Sequence, residues 1–124
     1  MYRQRAGIPQ REIPEPGAIL VRLSDSHVRF GSFQLLHFTN KPEKVTALLN
    51  YIIERHYPLI QNDSEKHKLV LRHVIKRTAK LIALWQANGF IHGVMNTDNM
   101  TITGTTFDYG PFGFMDHFNP NFTP

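Results

Sequence analysis

The stretch that decides the fold is residues 90–110, FIHGVMNTDNMTITGTTFDYG. It opens with a short apolar run that turns sharply at His92-Gly93 and passes into the polar loop Asn96–Asn99. Met100–Asp108 then predicts a tight β-hairpin with its turn at Thr103-Gly104-Thr105. Because a hairpin brings its two ends together, polar residues on either side of it are expected to be neighbours in space.

Two of those polar residues match a pattern of the protein kinases. His92 and Asn99 stand at the same offset as the His and Asn of the kinase catalytic loop, and Asp108-Tyr109-Gly110 resembles Asp-Phe-Gly. In kinases, that Asn and that Asp hold the metal ions that bridge the nucleotide phosphates. Mg²⁺ prefers hard oxygen ligands and keeps several waters, so one carboxylate and one amide oxygen suffice. The resemblance therefore implies Asn99 and Asp108 as the ligands of Mg²⁺ or Mn²⁺.

One position departs from the kinase pattern. The catalytic Asp of the kinase loop would fall at Val94, whose side chain cannot accept a proton, and the only carboxylate in the loop is Asp98. Either the base has moved to Asp98 or the fold is catalytically dead. His92 is expected to be structural, with its ring bonded to backbone near the loop.

A helix is predicted at about residues 41–56. Asn40 and Glu43 form a capping-box pattern, and Pro42 lies in the first turn, where its missing N–H costs little. Apolar residues recur at helical spacing along this segment. They are Val45, Leu48, Leu49, Ile52 and Ile53.

A second helix is predicted at about residues 64–88, opened by Asp63 or Ser64. Asn88-Gly89 is a good stop signal, with Gly89 suited to the left-handed conformation that often ends a helix. Together the two helices define a helical region, residues 41–88. The apolar stripe of the second helix is Leu69, Val70, Val74, Leu81, Leu84 and Trp85.

The flanking segments are less regular. Residues 1–17 contain three prolines and no hydrophobic periodicity, which indicates an extended linker. Residues 18–22 predict a short strand, Arg29–Phe38 is compatible with either a short helix or a strand, and residues 116–124 predict an irregular tail.

Composition narrows the function classes. The chain has 124 residues, 41% hydrophobic and 19% charged, which suits one domain or a piece of a larger one. It has no cysteine, which excludes disulfides and thiolate metal sites, and no apolar run of the length that spans a bilayer. The net charge of +4 fits phosphate-bearing ligands, whereas no base-reading motif supports nucleic-acid binding. We expect no nucleic-acid and no membrane partner, and a cytoplasmic location by default.

These motifs together resemble the selenoprotein O (YdiU) family, over roughly residues 11–120. The combination of Asn-Thr-Asp-Asn with Asp-Tyr-Gly-Pro is the most specific part of the resemblance. The matching segments are Arg77–Gln86, Gly89–Met100, Asp108–Phe114, Pro16–Ala18 and Arg22–Gly31.

The resemblance implies an α+β chain that is a fragment of a protein-kinase-like fold, mainly helices plus the catalytic-loop hairpin at residues 89–115. It also implies an enzyme that binds ATP in a flipped orientation and transfers AMP to Ser, Thr or Tyr hydroxyls of proteins. Asp98 would be the catalytic base. Asn99 and Asp108 would bind Mg²⁺ or Mn²⁺, with Asp108 also serving the nucleotide. Arg22 and Arg29, in the segment 18–38, would hold its phosphates, and the location would be cytoplasmic in a bacterium or mitochondrial in a eukaryote.

The sequence also departs from that family. The glycine-rich segment, the nucleotide-binding lysine and its acidic partner are not recognisable, so the isolated chain is expected to be an incomplete and inactive piece of the enzyme. Asp25, Ser32 and Gln34 stand where Pro, His and Glu are expected. The alternative function is a non-catalytic nucleotide-binding or protein-interaction module of pseudokinase type.

Overall fold

The computed structural model describes residues 17, 19, 21–106 and 108–122. Three α-helices are followed by a small antiparallel sheet, so the α+β class is confirmed. The bounds are α1 Phe30–Phe38, α2 Pro42–His56, a 3₁₀ turn Pro58–Ile60, α3 Lys66–Ala87, β1 Phe90–Ile91 and β2 Gly113–Phe114.

The predictions for residues 1–22 can be compared with the structure at only a few positions. The linker at 1–17 lies outside the described residues except for Gly17. The strand predicted at 18–22 is absent at its described positions 19, 21 and 22. No helix in the described part of the chain is long and apolar enough to cross a membrane.

The segment Arg29–Phe38, for which the sequence allowed a helix or a strand, forms helix α1 from Phe30 onward. The segment just before it pairs antiparallel with the residues that follow the polar loop Asn96–Asn99, through a bridge between Arg29 and Thr101. The first amides of the helix then bond to loop carbonyls: Phe30 N–H donates to Met100 O at 3.1 Å, and Gly31 N–H donates to Thr97 O at 2.8 Å. Because these amides have no partner inside the helix, the loop acts as the cap of α1.

Helix α2 lies within one residue of its prediction, but the predicted capping box is wrong. Asn40 adopts φ 52°, and its N–H donates to His37 O at 3.0 Å, so it ends α1 instead of starting α2. Asn tolerates this left-handed conformation, which explains the position. The residue before α2 is Lys41, and no side chain among the described residues caps the helix.

Helix α3 matches its prediction to within two residues at either end. Asp63 Oδ1 accepts the N–H of Glu65 at 2.7 Å in the turn that precedes the helix. At the other end Gly89 has φ 63°, as predicted, and its N–H donates to Gln86 O at 3.1 Å. The chain then reverses into β1, with Phe90 opposite Phe114 in the sheet.

The predicted hairpin at 100–108 is a tight turn with one bridge, between Met100 and Thr106. Threonine hydroxyls take over much of the bonding that a strand ladder would supply. Thr101 Oγ1 lies 2.9 Å from Thr103 Oγ1 and 2.8 Å from Thr105 Oγ1. The described strand pair lies instead between β1 and β2, outside this segment.

The turn is anchored to the helices through a buried core of Ile52, Ile53, Tyr57, Val70 and Ile102. Tyr57 OH donates to Ile102 O at 3.3 Å, and Arg77 lies over the Tyr57 ring at 5.3 Å. Arg77 Nη1 also donates to Thr103 O at 3.3 Å. The core therefore fixes the loop-bearing segment against α2 and α3.

A hydrogen-bond chain centred on His92 holds the polar loop Asn96–Asn99. Val94 N–H donates to His92 Nδ1 at 3.3 Å, so Nε2 carries the ring proton and donates to Thr106 Oγ1 at 3.0 Å. The Thr106 hydroxyl in turn donates to Asn99 O at 2.7 Å. The His92 ring is 2% exposed and lies between Trp85 and Tyr109, at 5.3 and 5.4 Å between ring centroids. The structural role expected for His92 is confirmed.

We expect Thr106→Val to lower the free energy of unfolding by about 1–3 kcal/mol, because it leaves the buried Nε2–H of His92 without an acceptor. The matched control is Thr46→Val, since the exposed Thr46 hydroxyl bonds only within its own helix, and its effect should stay within about 0.5 kcal/mol. Urea unfolding followed by fluorescence of Trp85, the single tryptophan, measures both. Equal effects of the two changes would contradict the proposed role of the Thr106 hydroxyl.

A second prediction concerns His56 at the end of α2. Burial lowers its pKa below the usual 6.5, and the charges of Arg55 and Arg77 lower it further, against an opposing effect of Asp25. The folded state therefore disfavours protonation, so this contribution to stability is present above about pH 6.5 and is lost as the pH falls through the folded pKa. The unfolding midpoint should fall less between pH 7.5 and 5.5 in His56→Gln than in the unmodified chain. Parallel curves would refute the prediction.

Candidate active site

Asn99 lies in the buried part of the polar loop Asn96–Asn99, with 6% of its surface exposed. Its side-chain Nδ2 donates to Val94 O at 2.8 Å, which fixes the orientation of the amide. In the described part of the chain, no hydrogen bond reaches its Oδ1. The loop therefore holds one hard oxygen in a fixed position while leaving it available to a ligand.

Asp108 lies across the turn from Asn99, and Thr106 joins their backbones. The Thr106 hydroxyl is 2.7 Å from Asn99 O and 3.4 Å from Asp108 O. The Asp108 side chain is 64% exposed and lies 3.9 Å from Arg22 Nη1. Arg22 also lies over the ring of Tyr109, at 5.7 Å from the centroid. The backbones of Asp108 and Asn99 thus meet at Thr106, and the Asp108 carboxylate lies close to one of the proposed phosphate-binding arginines.

Asp98 is exposed and lies against the first turn of α1. Asn96 Oδ1 accepts the N–H groups of both Asp98 and Asn99, each at 3.1 Å, a local turn that asparagine commonly makes. A Cβ on Gly31 would collide with the Asp98 carboxylate, so only glycine lets the two approach so closely. The negative charge of Asp98 is also favourable beside the positive end of the α1 dipole.

Arg29 lies with Asp98 instead of with Asp108. Both line a surface depression of about 410 Å³ beside α1. The five residues singled out in the sequence therefore form two neighbouring groups, joined by the adjacency of Asp98 and Asn99 in the loop. Joint ligation of a metal by Asn99 and Asp108 stays a prediction.

The donor set suits a magnesium-type ion. No group of three or more His, Cys, Asp or Glu side chains that could hold a metal ion together occurs among the described residues. One carboxylate and one amide oxygen are hard ligands, and Mg²⁺ or Mn²⁺ completes such a set with phosphate oxygens and water. Asn99 and Asp108 would hold the ion.

Two positioning contacts were missed by reasoning from the sequence. Thr106 connects His92, Asn99 and Asp108, but a threonine in a Thr-rich turn carries no distinguishing signal. Thr97 Oγ1 donates to Gln34 Oε1 at 2.6 Å, which ties the loop to α1. In the sequence, Gln34 is only a departure from the glutamate that the resemblance implies, and no local pattern indicates which residue its side chain would bond to.

Comparisons with known proteins identify the family of this chain. A family model described as "Protein adenylyltransferase SelO" matches residues 6–124. Among curated proteins, the "Protein nucleotidyltransferase YdiU" of Pectobacterium carotovorum is 54% identical over 113 residues, which cover 91% of this chain and 23% of the relative. The proteins of the same name from Klebsiella pneumoniae (strain 342) and Myxococcus xanthus are 53% and 52% identical, each over 90% of this chain and 23% of the relative.

The chain thus spans about a quarter of the length of the curated relatives it matches. The match covers the loop, the turn and both arginine positions, since the family model reaches from residue 6 to residue 124. The chain belongs to the protein adenylyltransferase SelO family.

Proposed function

We propose that this chain is the metal- and phosphate-handling segment of a protein nucleotidyltransferase with a protein-kinase-like fold. The enzyme would transfer AMP from ATP to a Ser, Thr or Tyr hydroxyl of a protein. The observation that carries the proposal is the junction at Thr106, where one hydroxyl lies within hydrogen-bond distance of the carbonyls of both Asn99 and Asp108. Family membership and the printed names of the relatives support the reaction class.

In this reaction, the acceptor hydroxyl oxygen attacks the α-phosphorus of ATP. The bond from that phosphorus to the bridging oxygen of the β-phosphate breaks, pyrophosphate leaves, and the hydroxyl proton passes to Asp98. A divalent ion bound by Asn99 and Asp108 would neutralise phosphate charge. Arg22 and Arg29 would orient the phosphates, because the guanidinium fork makes paired, charge-assisted bonds to them.

Charge stabilisation is expected to contribute more than proton removal. In a loose transition state the acceptor hydroxyl keeps most of its proton while negative charge spreads over the phosphate oxygens.

A non-catalytic nucleotide-binding module is the second candidate. It is favoured by Val94, which stands at the position of the kinase base and cannot accept a proton. It is opposed by Asp98, an exposed carboxylate in the same loop and in the same depression as Arg29. Measuring AMP transfer distinguishes the two candidates.

The metal prediction can be measured on the 124-residue chain itself. Asp108→Asn should weaken Mn²⁺ binding about tenfold, since a lost charged contact of ~1.5 kcal/mol corresponds to that factor. Asp116→Asn, at an exposed carboxylate outside the loop, is the matched control and should leave the affinity unchanged. Electron paramagnetic resonance of free Mn²⁺ gives the affinities. Equal affinity in all three proteins would remove Asp108 from the metal site.

Transfer is best measured in a grafted protein, in which the matched 113 residues of this chain replace their counterparts in the Pectobacterium relative. There, Asp98→Asn should lower kcat for AMP transfer about 100-fold, the contribution of a positioned general base, and leave ATP binding intact. Incorporation of labelled AMP into a protein acceptor measures the rate, with Asp116→Asn as the control. An Asp98→Asn variant with full activity would exclude this residue as the base.

The arginine prediction uses the same grafted protein. Arg22→Ala and Arg29→Ala should each weaken ATP binding by ~1.5–3 kcal/mol, the usual worth of a hydrogen bond to a charged group. The control is Arg72→Ala, at an exposed position on α3. Isothermal titration calorimetry measures the affinities. If both variants bind ATP as tightly as the control does, the two arginines are ordinary surface charges.

A further inference from the structure

One face of α1 begins beside Asp98, the candidate base, and runs towards the C-terminal end of the helix. The depression that contains Asp98 and Arg29 extends along the helix to Leu35 and Phe38. Gly31, Leu35 and Phe38 lie at positions i, i+4 and i+7 of α1, so they share one side of the helix. The depression is therefore charged beside Asp98 and becomes apolar towards the C-terminal end of α1.

The apolar end of this face is open to solvent. Leu35 and Phe38 are 64% and 75% exposed, whereas Phe30 and Phe33, on another side of the helix, pack against the core. Single exposed apolar residues are common on protein surfaces and need no explanation. Two large ones that line the same depression as the candidate base form a small apolar patch, and such patches often mark contact sites.

The patch is held at a fixed distance from Asp98. Gly31 N–H donates to Thr97 O at 2.8 Å, and Thr97 Oγ1 donates to Gln34 Oε1 at 2.6 Å. The two bonds connect α1 to the loop at the second and the fifth residue of the helix. The separation between the base and the patch therefore cannot vary without breaking the cap of α1.

We propose that this face of α1 is the docking surface for the protein acceptor, with Leu35 and Phe38 binding an apolar side chain close to the modified hydroxyl. The proposal rests on the proposed function, since it takes Asp98 as the base. A hydroxyl that reaches the exposed carboxylate of Asp98 from the side of α1 enters the depression, and the polypeptide that carries it then lies over the neighbouring α1 face. Arg29 lies at the charged end, where the phosphates and the hydroxyl meet.

The helix geometry sets the spacing of the preferred acceptor. With a rise of about 1.5 Å per residue, Leu35 lies roughly 6 Å and Phe38 roughly 10 Å along the helix from Gly31, which contacts Asp98. An extended peptide advances about 3.3 Å per residue. The apolar side chain of the acceptor should therefore lie about two or three residues from the modified hydroxyl.

The test uses the 124-residue chain and two short peptides. Both contain one tyrosine in a glycine-rich sequence. One has leucine three residues from the tyrosine, and the other has serine there. Titrations followed by NMR should show the leucine peptide binding at least about threefold more tightly, since burying one methylene is worth ~0.8 kcal/mol. Leu35→Ser and Phe38→Ser should abolish the difference. Leu59→Ser should preserve it, because Leu59 is 100% exposed on the 3₁₀ turn outside the depression.

Equal binding of the two peptides overturns the proposal, as does an equal loss in the Leu59→Ser control. In the grafted protein, Leu35→Ser and Phe38→Ser should raise KM for the leucine peptide and leave kcat and ATP affinity unchanged. If they lower the melting temperature instead and leave KM unaltered, another part of the polypeptide covers the patch and the proposal is wrong. Absence of AMP transfer from the unmodified grafted protein would refute the proposed function, while the peptide titration still decides whether the patch binds an acceptor.

Discussion

The hydroxyl of Thr106 is the contact on which the candidate site depends. It accepts a hydrogen bond from the buried ring of His92 and donates one to the carbonyl of Asn99. It also lies 3.4 Å from the carbonyl of Asp108. A single side chain thereby holds together the two sides of the tight turn. The backbone bridge between Met100 and Thr106 and the contact between the rings of His92 and Tyr109 connect the same two segments.

The second constraint is the mutual dependence of the loop and α1. A nine-residue helix is too short to be stable on its own in water, so it needs tertiary contacts. The carbonyls of Thr97 and Met100 supply the partners of its first amides. In return, the helix holds the loop in the conformation that presents Asp98. A side chain at Gly31 would force the Asp98 carboxylate to move away from the helix, so glycine at this position lets the two lie in contact.

Local sequence signals predicted the features that depend on local physics. The apolar periodicity of α2 and α3 and the glycine after α3 were sufficient to locate both helices, and Gly89 adopts the expected positive φ. The signals failed where a distant partner decides the outcome. Asn40 is a residue type that often begins a helix, but here it ends the preceding one. The Thr-rich turn forms hydrogen bonds through its hydroxyls instead of forming strands.

The same distinction applies to the site. The spacing of the loop and the turn predicted that Asn99 and Asp108 would be neighbours, and their backbone carbonyls both lie close to the Thr106 hydroxyl. The grouping of the arginines could not be predicted, because it depends on how the segment before α1 crosses the loop. Arg22 lies at Asp108, whereas Arg29 shares a depression with Asp98. Spacing within one segment cannot determine which carboxylate each arginine approaches.

This grouping has a consequence for how a nucleotide would be received. The contact between Arg22 and Asp108 is 3.9 Å long, and both side chains are substantially exposed, at 41% and 64%. Ion pairs of that kind contribute only about 0–1 kcal/mol to stability. Arg22 could therefore exchange the carboxylate for a phosphate at little cost, while a divalent ion replaces the guanidinium as the partner of Asp108. The carboxylate of Asp108 would then face a cation both before and after binding, first the guanidinium of Arg22 and then the divalent ion.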